Sequence, residues 1–528
     1  MFVGNLCIII RMKYLKKYKI EICIGVFLTI LYFFLRTVAL SRLPIFTDEA
    51  IYIRWAQIAL SDANWRFISL TDGKGPFFIW MMLPFLKFIH DPLIAGRMLS
   101  VIFGFFTLIG LFLTSFELFR NKWVSFLTAL LYVFFPYAIV YDRMALYDCM
   151  VATFSIWSLY FSILLARRIR LDITFTLGAI LGAGVLTKAN ASFSAILLPF
   201  TLLLFPFKEK KSIQQLIKWV LFALFAYIIS QILYSVLRLS PLYGVINIKT
   251  STFVYSFSEL FHMGIGMMFS IFYGNFLVLI TWWYQYMGIS FILLLIVGLA
   301  FGNYWKEKAL LCIYFIVPYV ALAMFGKIIF PRFVFFAAIN LLPIVAFGLY
   351  FSINVFLRNL VKDKSSIAKK YSIIVLIIFC FLLSNAFICY QFIFNPISAQ
   401  IASGDRGQYI ENWPAGWGVS QSIAYFSSRA QNGKIYIGTE GTFGLMPESY
   451  EMYLVHNKNV TIKGIWPIEN TMPKELVDSA VKVPTYVVFY QPCPTCSNTN
   501  EAPKSWQLMQ VFQTSTLNTR LTIYQVIP

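Results

Sequence analysis

The chain has 528 residues, of which 59% are hydrophobic and only 12% are charged, and its mean hydropathy is +0.73. Soluble domains carry roughly 25% charged residues and disordered chains are poor in hydrophobic ones, so both classes are excluded. Unbroken apolar runs of about 20 residues match the length that crosses a bilayer as a helix. Membrane β-barrels instead alternate over about 10 residues. The sequence therefore predicts a polytopic α-helical membrane protein.

The net charge of +20 is not spread evenly along the chain. Such an excess can indicate nucleic-acid binding, but its position argues otherwise. Residues 397–528 carry nine Lys or Arg and nine Asp or Glu, so the whole excess lies among the hydrophobic segments. Cytoplasmic loops of membrane proteins are enriched in Lys and Arg. We therefore expect membrane lipids, and no nucleic acid, as partners.

The apolar segments define a membrane region over 1–395. We predict about eleven transmembrane helices, at 20–40, 94–117, 122–141, 146–166, 173–188, 191–207, 216–237, 285–302, 309–326, 333–356 and 372–394. Five cations precede the first segment, which is long enough to be an uncleaved signal anchor with a cytoplasmic N-terminus. With that orientation every cytoplasmic loop is rich in Lys or Arg, as expected for the plasma membrane, and the C-terminal tail lies outside.

Three larger pieces fall on the predicted outer face. Residues 41–93 form a first loop, 238–284 form a second, and 396–528 form an extracytoplasmic domain. Within that domain we predict strands at 434–438, 459–464, 485–491 and 521–526, and helices at 420–430 and 449–456. This mixture predicts a small α/β domain. Because it is charge-balanced and follows the last span, we expect it to be separable and to hold or select an acceptor.

Two adjacent carboxylates follow the first predicted span. Thr47 resembles a helix cap, and Asp48 and Glu49 in the next turn would complement the helix dipole, which is an ordinary structural role. Ile51 and Trp55 continue at helical spacing and predict a short amphipathic helix on the membrane surface. Such a helix would hold both carboxylates at the lipid–water boundary.

Several charged residues also stand where predicted spans begin or end. Lys74 lies between Gly73 and Gly75 before the apolar segment 77–89, and glycines let a backbone approach a ligand closely. The others are Arg143, Asp148, Lys188, Lys327 and Arg332. Taken singly, each is explained by snorkelling at a helix end or by a salt bridge. Together with the carboxylates, they predict an outer-face site for a phosphorylated ligand attacked by a hydroxyl group.

The cysteines divide into two groups. Six lie in or near predicted spans, where they behave as small apolar residues. Cys493 and Cys496 form a Cys-Pro-Thr-Cys sequence in the outer domain. One such pair supplies only two of the four ligands of a structural zinc site, so we favour a local disulfide in an oxidising exterior.

An ordered set of motifs covers about residues 40–350. They are Phe46-Thr-Asp-Glu-Ala, Gly73-Lys-Gly-Pro-Phe-Phe, Ala95-Gly-Arg-Met-Leu-Ser, Arg143-x-Ala-Leu-x-Asp148, Gly182-x-Gly-x-Leu-Thr-Lys188 and Pro331-Arg-Phe. This set resembles the GT-C glycosyltransferases of the protein O-mannosyltransferase and aminoarabinose transferase type. The resemblance implies a GT-C-like fold, a polyprenyl-phosphate sugar donor, an outer active site and inversion at the anomeric carbon.

The resemblance also implies roles for individual residues. Asp48 would be the catalytic carboxylate, Glu49 its neighbour in the acidic pair and a second catalytic residue, and Lys74 would face the lipid phosphate. The family usually has Lys-Pro-Pro where this chain has Lys74-Gly75-Pro, and Arg54 follows the acidic pair too late to match the family's arginine. From position alone we add Arg143, Lys327 and Arg332 as phosphate-binding residues and Asp148 and Lys188 as further substrate-site residues.

The chemistry agrees with this set of residues. An acceptor hydroxyl has a pKa far above 7 and needs a positioned general base, whereas a departing phosphate needs nearby cations rather than an acid. We therefore predict a membrane glycosyltransferase that moves a hexose or pentose, such as mannose, to a protein, lipid or glycan hydroxyl. Beyond the lipid-linked donor no cofactor is expected, and a divalent metal is not favoured because no ligand-spaced cluster occurs on the outer face.

The main alternative is a transporter or flippase of a lipid-linked or anionic substrate. Its charges would line a path across the membrane, and its two halves would show paired interrupted helices. The clustering of charge on one side and the large outer loops favour the enzyme. A membrane scaffold would leave the acidic pair and Lys74 unexplained.

Overall fold

The computed structural model describes residues 17–207, 212–360, 367–465, 473–491, 506–513 and 520–527. The first part of the chain contains the helices α1 Lys19–Thr37, α2 Thr47–Ser61, α3 Phe77–Phe88, α4 Pro92–Phe119, α5 Lys122–Val133, α6 Pro136–Asp142, α7 Tyr147–Arg167 and α8 Leu171–Thr187. The second contains α9 Phe193–Leu197, α10 Ser212–Tyr234, α11 Val245–Phe253, α12 Phe257–Met263, α13 Ile265–Ala300, α14 Trp305–Phe325, α15 Phe335–Ala338, α16 Leu342–Leu360 and α17 Ile367–Phe394.

All eleven predicted apolar segments are helical, but they differ in length. Among the described residues, eight helices are long and apolar enough to cross a membrane: Lys19–Thr37, Pro92–Phe119, Tyr147–Arg167, Ser212–Leu239, Ile265–Ala300, Trp305–Phe325, Pro331–Arg358 and Lys370–Phe394. Helices α5 and α6 meet at 62° and make a ninth span if counted together. Pro136 opens α6, which accounts for the bend.

The segment predicted as the second outer loop is mostly helical. Helices α11 and α12 lie within 238–284, and α13 begins at Ile265 rather than near 285. Gly288 interrupts α13 with φ of 67°, a conformation that glycine adopts without steric cost. The sequence concealed this early start because aromatic and polar residues are mixed there.

A buried ion pair joins α1 to α6 inside the membrane region. Asp142 accepts hydrogen bonds from Arg36 Nε at 3.2 Å, the Tyr132 hydroxyl at 3.0 Å and the Tyr32 hydroxyl at 3.3 Å. Both charged side chains are completely buried. A Cβ at Gly104 of α4 would lie 2.4 Å from the carboxyl carbon of Asp142, so only glycine fits beside the pair. These contacts fix α1, α4 and α6 relative to one another.

Residues after α17 form a smaller unit with one mixed sheet. Its helices are α18 Ser403–Arg406, α19 Val419–Gln431, α20 Leu445–Leu454 and α21 Lys474–Ala480, and its strands are β1 Ile435–Glu440, β2 Val460–Ile465, β3 Thr485–Gln491, β4 Gln507–Gln513 and β5 Arg520–Gln525. The strand order is β2-β1-β3-β5-β4. Strand β1 is parallel to β2 and β3, while β5 is antiparallel to β3 and β4. The predicted α/β fold is confirmed.

The C-terminal unit packs directly on α2, the helix that carries the acidic pair. Arg54 Nε lies 2.7 Å from Glu451 Oε2, and the Trp55 and Phe443 rings stack with centroids 6.1 Å apart. Both Arg54 and Trp55 belong to α2, while their partners lie in or next to α20. Removal of the unit would expose part of α2, and its expected separability stays a prediction.

We predict that Asp142→Ala destabilises the protein far more than Asp172→Ala. The first change leaves Arg36 buried without its carboxylate, and removing one partner of a buried pair costs about 3–5 kcal/mol. Asp172 pairs with Arg170 on the surface, where both side chains are more than half exposed and a pair contributes about 0–1 kcal/mol. Thermal unfolding in detergent gives the melting temperatures of the two variants. Equal melting temperatures would contradict the structural role of Asp142.

Candidate active site

The site is built around Asp48 in the first turn of α2. Arg332, at the entrance of the span Pro331–Arg358, places its Nη1 2.7 Å from Asp48 Oδ2. The two side chains are 11% and 17% exposed, so the pair is largely shielded from solvent while remaining reachable. Tyr52 lies one helical turn after Asp48 and also hydrogen-bonds to its carboxylate. Asp48 is therefore held by groups from two distant parts of the chain.

The surrounding charges keep Asp48 ionised. Burial raises the pKa of its carboxyl group, but the charges of Lys74 and Arg332 and the hydrogen bonds from Arg332 and Tyr52 outweigh burial and lower the pKa to about 2. Asp48 is thus an anion at every physiological pH. A carboxylate with so low a pKa is a poor proton acceptor while the pairing cation remains in place.

Lys74 lies over the ring of Tyr52. Its Nζ is 4.8 Å from the centroid of the Tyr52 ring and 3.1 Å from Asp72 Oδ2. Lys249 from α11 forms a second ion pair with Asp72. A Cβ at Gly75 would come within 2.1 Å of the Leu186 carbonyl oxygen, so the loop that carries Lys74 needs glycine to pack on the end of α8. This contact accounts for the departure from the family's Lys-Pro-Pro sequence.

The ion pair of Lys188 and Asp148 lies next to that of Arg332 and Asp48. Lys188 Nζ is 2.6 Å from Asp148 Oδ1, and it also stands 4.6 Å from the centroid of the Phe333 ring. Phe333 follows Arg332 directly, so the two pairs share one wall. Asp148 also interacts electrostatically with Arg332. The structure thus brings together Asp48, Lys74, Asp148, Lys188 and Arg332 from the predicted set.

Glu49 has a different environment from its neighbour Asp48. Its Oε1 accepts hydrogen bonds from Arg97 Nε at 2.8 Å and the Ala145 amide at 2.7 Å, and its Oε2 accepts from Arg97 Nη2 at 2.6 Å and the Phe46 amide at 3.2 Å. Both charged side chains are fully buried. Four donors occupy the Glu49 carboxylate and solvent does not reach it, which favours a structural role for Glu49 over the predicted catalytic one.

Two predicted phosphate-binding residues are also engaged elsewhere. Arg143 donates to the carbonyl groups of Leu35, Arg36 and Ala39 at the end of α1, at 2.8 to 3.0 Å. Lys327 Nζ lies 2.6 Å from Glu259 Oε1 in α12. These contacts engage both side chains with other parts of the chain, and phosphate binding by Arg143 and Lys327 stays a prediction. Cys493 and Cys496 lie outside the described residues.

Arg332 is positioned by tyrosines that sequence reasoning did not single out. The Tyr137 hydroxyl donates to the carbonyl oxygen of Pro331, and the Tyr137 ring stacks on that of Tyr286 with centroids 4.1 Å apart. The Tyr286 hydroxyl in turn donates to Asp405, just after the last span. Burial raises the pKa of Asp405 to about 7, although hydrogen bonds from tyrosines oppose this shift.

No group of three or more His, Cys, Asp or Glu side chains within the described ranges has the arrangement of a metal site.

Part of the chain matches a known protein family. Residues 73–235 match the family model described as dolichyl-phosphate-mannose-protein mannosyltransferase. This stretch contains Lys74, Asp148 and Lys188, whereas Asp48 and Arg332 lie outside it. No curated protein matches the chain.

Solved structures share the fold over almost the whole chain. ArnT from Cupriavidus metallidurans bound to undecaprenyl phosphate has a TM-score of 0.53 at 14% identity and covers 97% of this chain and 99% of that one. Archaeal oligosaccharyltransferase AglB from Archaeoglobus fulgidus, in complex with an inhibitory peptide and a dolichol-phosphate, has a TM-score of 0.51 at 12% identity, covering 90% and 70%. This chain has the GT-C glycosyltransferase fold. The resemblance drawn from the motifs is confirmed.

We predict that Glu49→Gln destabilises the protein much more than Asp48→Asn does. Glu49→Gln leaves Arg97 buried without a counter-charge, which costs about 3–5 kcal/mol. Asp48→Asn also removes a partner of Arg332, but both side chains are partly exposed and Asp148 still acts on Arg332, so the cost is smaller and the fold is retained. Thermal unfolding of the two purified variants makes the comparison. If Asp48→Asn were the less stable of the two, our division of the acidic pair would be wrong.

Proposed function

We propose that this GT-C protein transfers a sugar from a polyprenyl-phosphate donor to a hydroxyl group on the outer face of the membrane, with inversion. The observation that carries the proposal is the Asp48 carboxylate, which pairs with Arg332 and interacts electrostatically with Lys74. The matched family's description and the lipid phosphates in the ArnT and AglB structures support a lipid-phosphate donor. The family description favours mannose among hexoses and pentoses. The cation-rich loops support an outer location for the site.

The proposed reaction is one displacement. The acceptor oxygen bonds to the anomeric carbon, and its proton passes to Asp48. The bond between the anomeric carbon and the phosphate oxygen breaks, and its electron pair remains on the phosphate. The donor diester carries one negative charge and the released monoester up to two, so negative charge grows in the transition state. Lys74 and Arg332 would stabilise that growing charge.

Donor binding would also change the basicity of Asp48. In the structure, Arg332 pairs with Asp48 and Lys74 pairs with Asp72. A phosphate that accepts hydrogen bonds from the Arg332 guanidinium competes with Asp48 for the same donors. Loss of this pairing raises the pKa of Asp48 toward the ordinary range. The lipid phosphate would thus convert a paired carboxylate into a general base only when a sugar is ready for transfer.

The proposal is tested by transfer in proteoliposomes. We expect the purified protein to move radiolabelled mannose from polyprenyl-phosphate mannose to envelope material from the source cells, with release of polyprenyl phosphate. Asp48→Asn should reduce the rate by about 10²–10⁴-fold, the usual value of general-base catalysis. Asp172→Asn, which alters an exposed carboxylate on the predicted cytoplasmic side, is the control. Near-normal transfer by Asp48→Asn would refute the role of Asp48. A parallel series with other polyprenyl-phosphate hexoses and pentoses identifies the sugar.

The cations should affect the rate more than donor binding. Lys74→Ala and Arg332→Ala are expected to lower kcat strongly and to weaken donor affinity less, because their charges matter most in the transition state. Arg332→Lys should recover only part of the loss, since lysine lacks the guanidinium fork. Arg170→Ala, in an exposed pair, is the matched control. Steady-state kinetics with a defined donor gives both constants. Unchanged kcat in both alanine variants would remove them from the site.

The pH dependence should differ between the two kinetic constants. Asp48 must be ionised to accept a proton, so activity falls as pH falls through its pKa. In kcat/KM for the donor, which reports the free enzyme, this acidic limb should lie near pH 2 and outside the measurable range. In kcat, which reports the donor complex, the limb should appear at higher pH. If the acidic limbs of kcat and kcat/KM coincided, the donor would not release Asp48 from its pairing with Arg332, and the proposal would be contradicted.

A further inference from the structure

A cavity of about 290 Å³ lies in the C-terminal unit where it meets the membrane region. Its walls include Trp413, Glu440, Thr442 and Phe443. Phe443 is 51% exposed, so it forms part of an accessible rim rather than of the core. Glu440 is almost fully buried, and its Oε2 accepts a hydrogen bond from the Tyr490 amide at 3.0 Å. The cavity therefore combines two aromatic side chains with one carboxylate.

The position of the cavity in the sheet is that of a ligand site. Strand β1 lies between β2 and β3 and is parallel to both, so the chain leaves β1 toward one side of the sheet and later returns on the other. In open sheets with parallel strands, ligands bind outside the carboxyl ends of the strands at this reversal. Glu440 is the last residue of β1, and Gly441 and Thr442 follow it. The cavity thus lies where the topology alone would place a ligand.

The cavity also lies beside the helix that carries Asp48. Phe443 stacks on Trp55 of α2. The Thr47 hydroxyl donates to the carbonyl oxygen of Pro414, the residue after Trp413, at 3.2 Å. A Cβ at Gly444 would be only 3.8 Å from Thr47 Cγ2, so the loop after β1 reaches the first turn of α2. A molecule in the cavity would be held next to the residue that precedes Asp48.

The lining indicates what kind of group would bind. Aromatic rings offer flat apolar faces, and a carboxylate accepts hydrogen bonds from hydroxyl groups but repels phosphates and other anions. Sugar rings present both an apolar C–H face and hydroxyl groups. Ligand pockets usually measure roughly 300–1,000 Å³, so this cavity is of a size for part of an acceptor only.

We propose that this cavity binds a neutral sugar ring of the acceptor, so that the acceptor is a glycan held by the C-terminal unit. The proposal rests on the proposed function and adds the acceptor's class and its binding site. The donor phosphate would bind at Lys74 and Arg332, and the acceptor would approach Asp48 from the side of the C-terminal unit. The two substrates would therefore be held by different parts of the chain.

Binding can be tested without catalysis. Saturation-transfer NMR on the full-length protein in nanodiscs would use chitotriose and mannotriose as neutral probes, glucose 6-phosphate as an anionic probe and a phenylalanine-containing tripeptide as an apolar probe. We expect at least one neutral trisaccharide to bind, with the anionic sugar and the peptide at least about ten-fold weaker.

Two variants locate the binding, and one serves as the matched control. Phe443→Ala removes the exposed aromatic face, and Thr442→Trp fills the rim of the cavity with a side chain at an exposed position. Both variants should weaken binding of the trisaccharide by at least about ten-fold. Leu508→Ala changes a residue of β4 with nearly the same exposure, 52%, and should leave binding unchanged. Asp48→Asn should also retain trisaccharide binding.

The outcomes separate this inference from the proposed function. If transfer occurs but the cavity variants leave the acceptor KM unchanged, the inference is overturned and the function stands. If the cavity binds the trisaccharide but no transfer is found with any polyprenyl-phosphate sugar, the function fails and the binding site stands. Preferential binding of the peptide, or no binding by either trisaccharide, would overturn the assignment of a glycan.

Discussion

The buried pair of Glu49 and Arg97 is the interaction on which the rest of the site depends. Two neighbouring carboxylates on one helix point in different directions, and only one of them can satisfy a buried arginine. Arg97 of α4 forms an ion pair with Glu49. It also donates hydrogen bonds to the carbonyl oxygens of Leu40, Leu43 and Pro44 at 2.7 to 2.9 Å. The chain that leads into α2 is thereby fixed to α4. Asp48, one residue earlier, is left to face Arg332.

The two adjacent carboxylates therefore differ in role: Glu49 fixes the start of α2, and Asp48 is the one available for the proposed chemistry. The side chains of Glu49 and Arg97 have no access to solvent, while those of Asp48 and Arg332 are 17% and 11% exposed. A proposed donor phosphate would act on the pair of Asp48 and Arg332 alone. The second pair, Lys188 and Asp148, lies against Phe333 beside Arg332 and would keep the local charge balanced when Arg332 turns to the phosphate. The neighbouring tyrosines hold Pro331, and with it the backbone of Arg332, in place.

Residue type and local order predicted a large part of this picture. The apolar segments gave the helices, and the motifs brought out Asp48, Lys74, Asp148, Lys188 and Arg332. Two kinds of information were missing. Sequence order does not say which of two adjacent carboxylates meets Arg97. A cation near a span end, such as Arg143 or Lys327, also pairs with whatever carbonyl or carboxylate the tertiary structure brings to it. The sequence could have identified Tyr52 as a site residue, because it follows Asp48 by one helical turn. Lys249 carried no local signal that would connect it to Asp72.

The central claim is that a lipid phosphate takes Arg332 from Asp48 and so frees the carboxylate to act as a base. An experimental structure of the full chain with undecaprenyl phosphate would test it most directly. We expect a phosphate oxygen within hydrogen-bond distance of both Arg332 and Lys74, with the Arg332 nitrogen moved beyond 4 Å from Asp48, the limit of a salt bridge. A phosphate bound elsewhere, with the present 2.7 Å contact between Arg332 and Asp48 intact, would contradict the account.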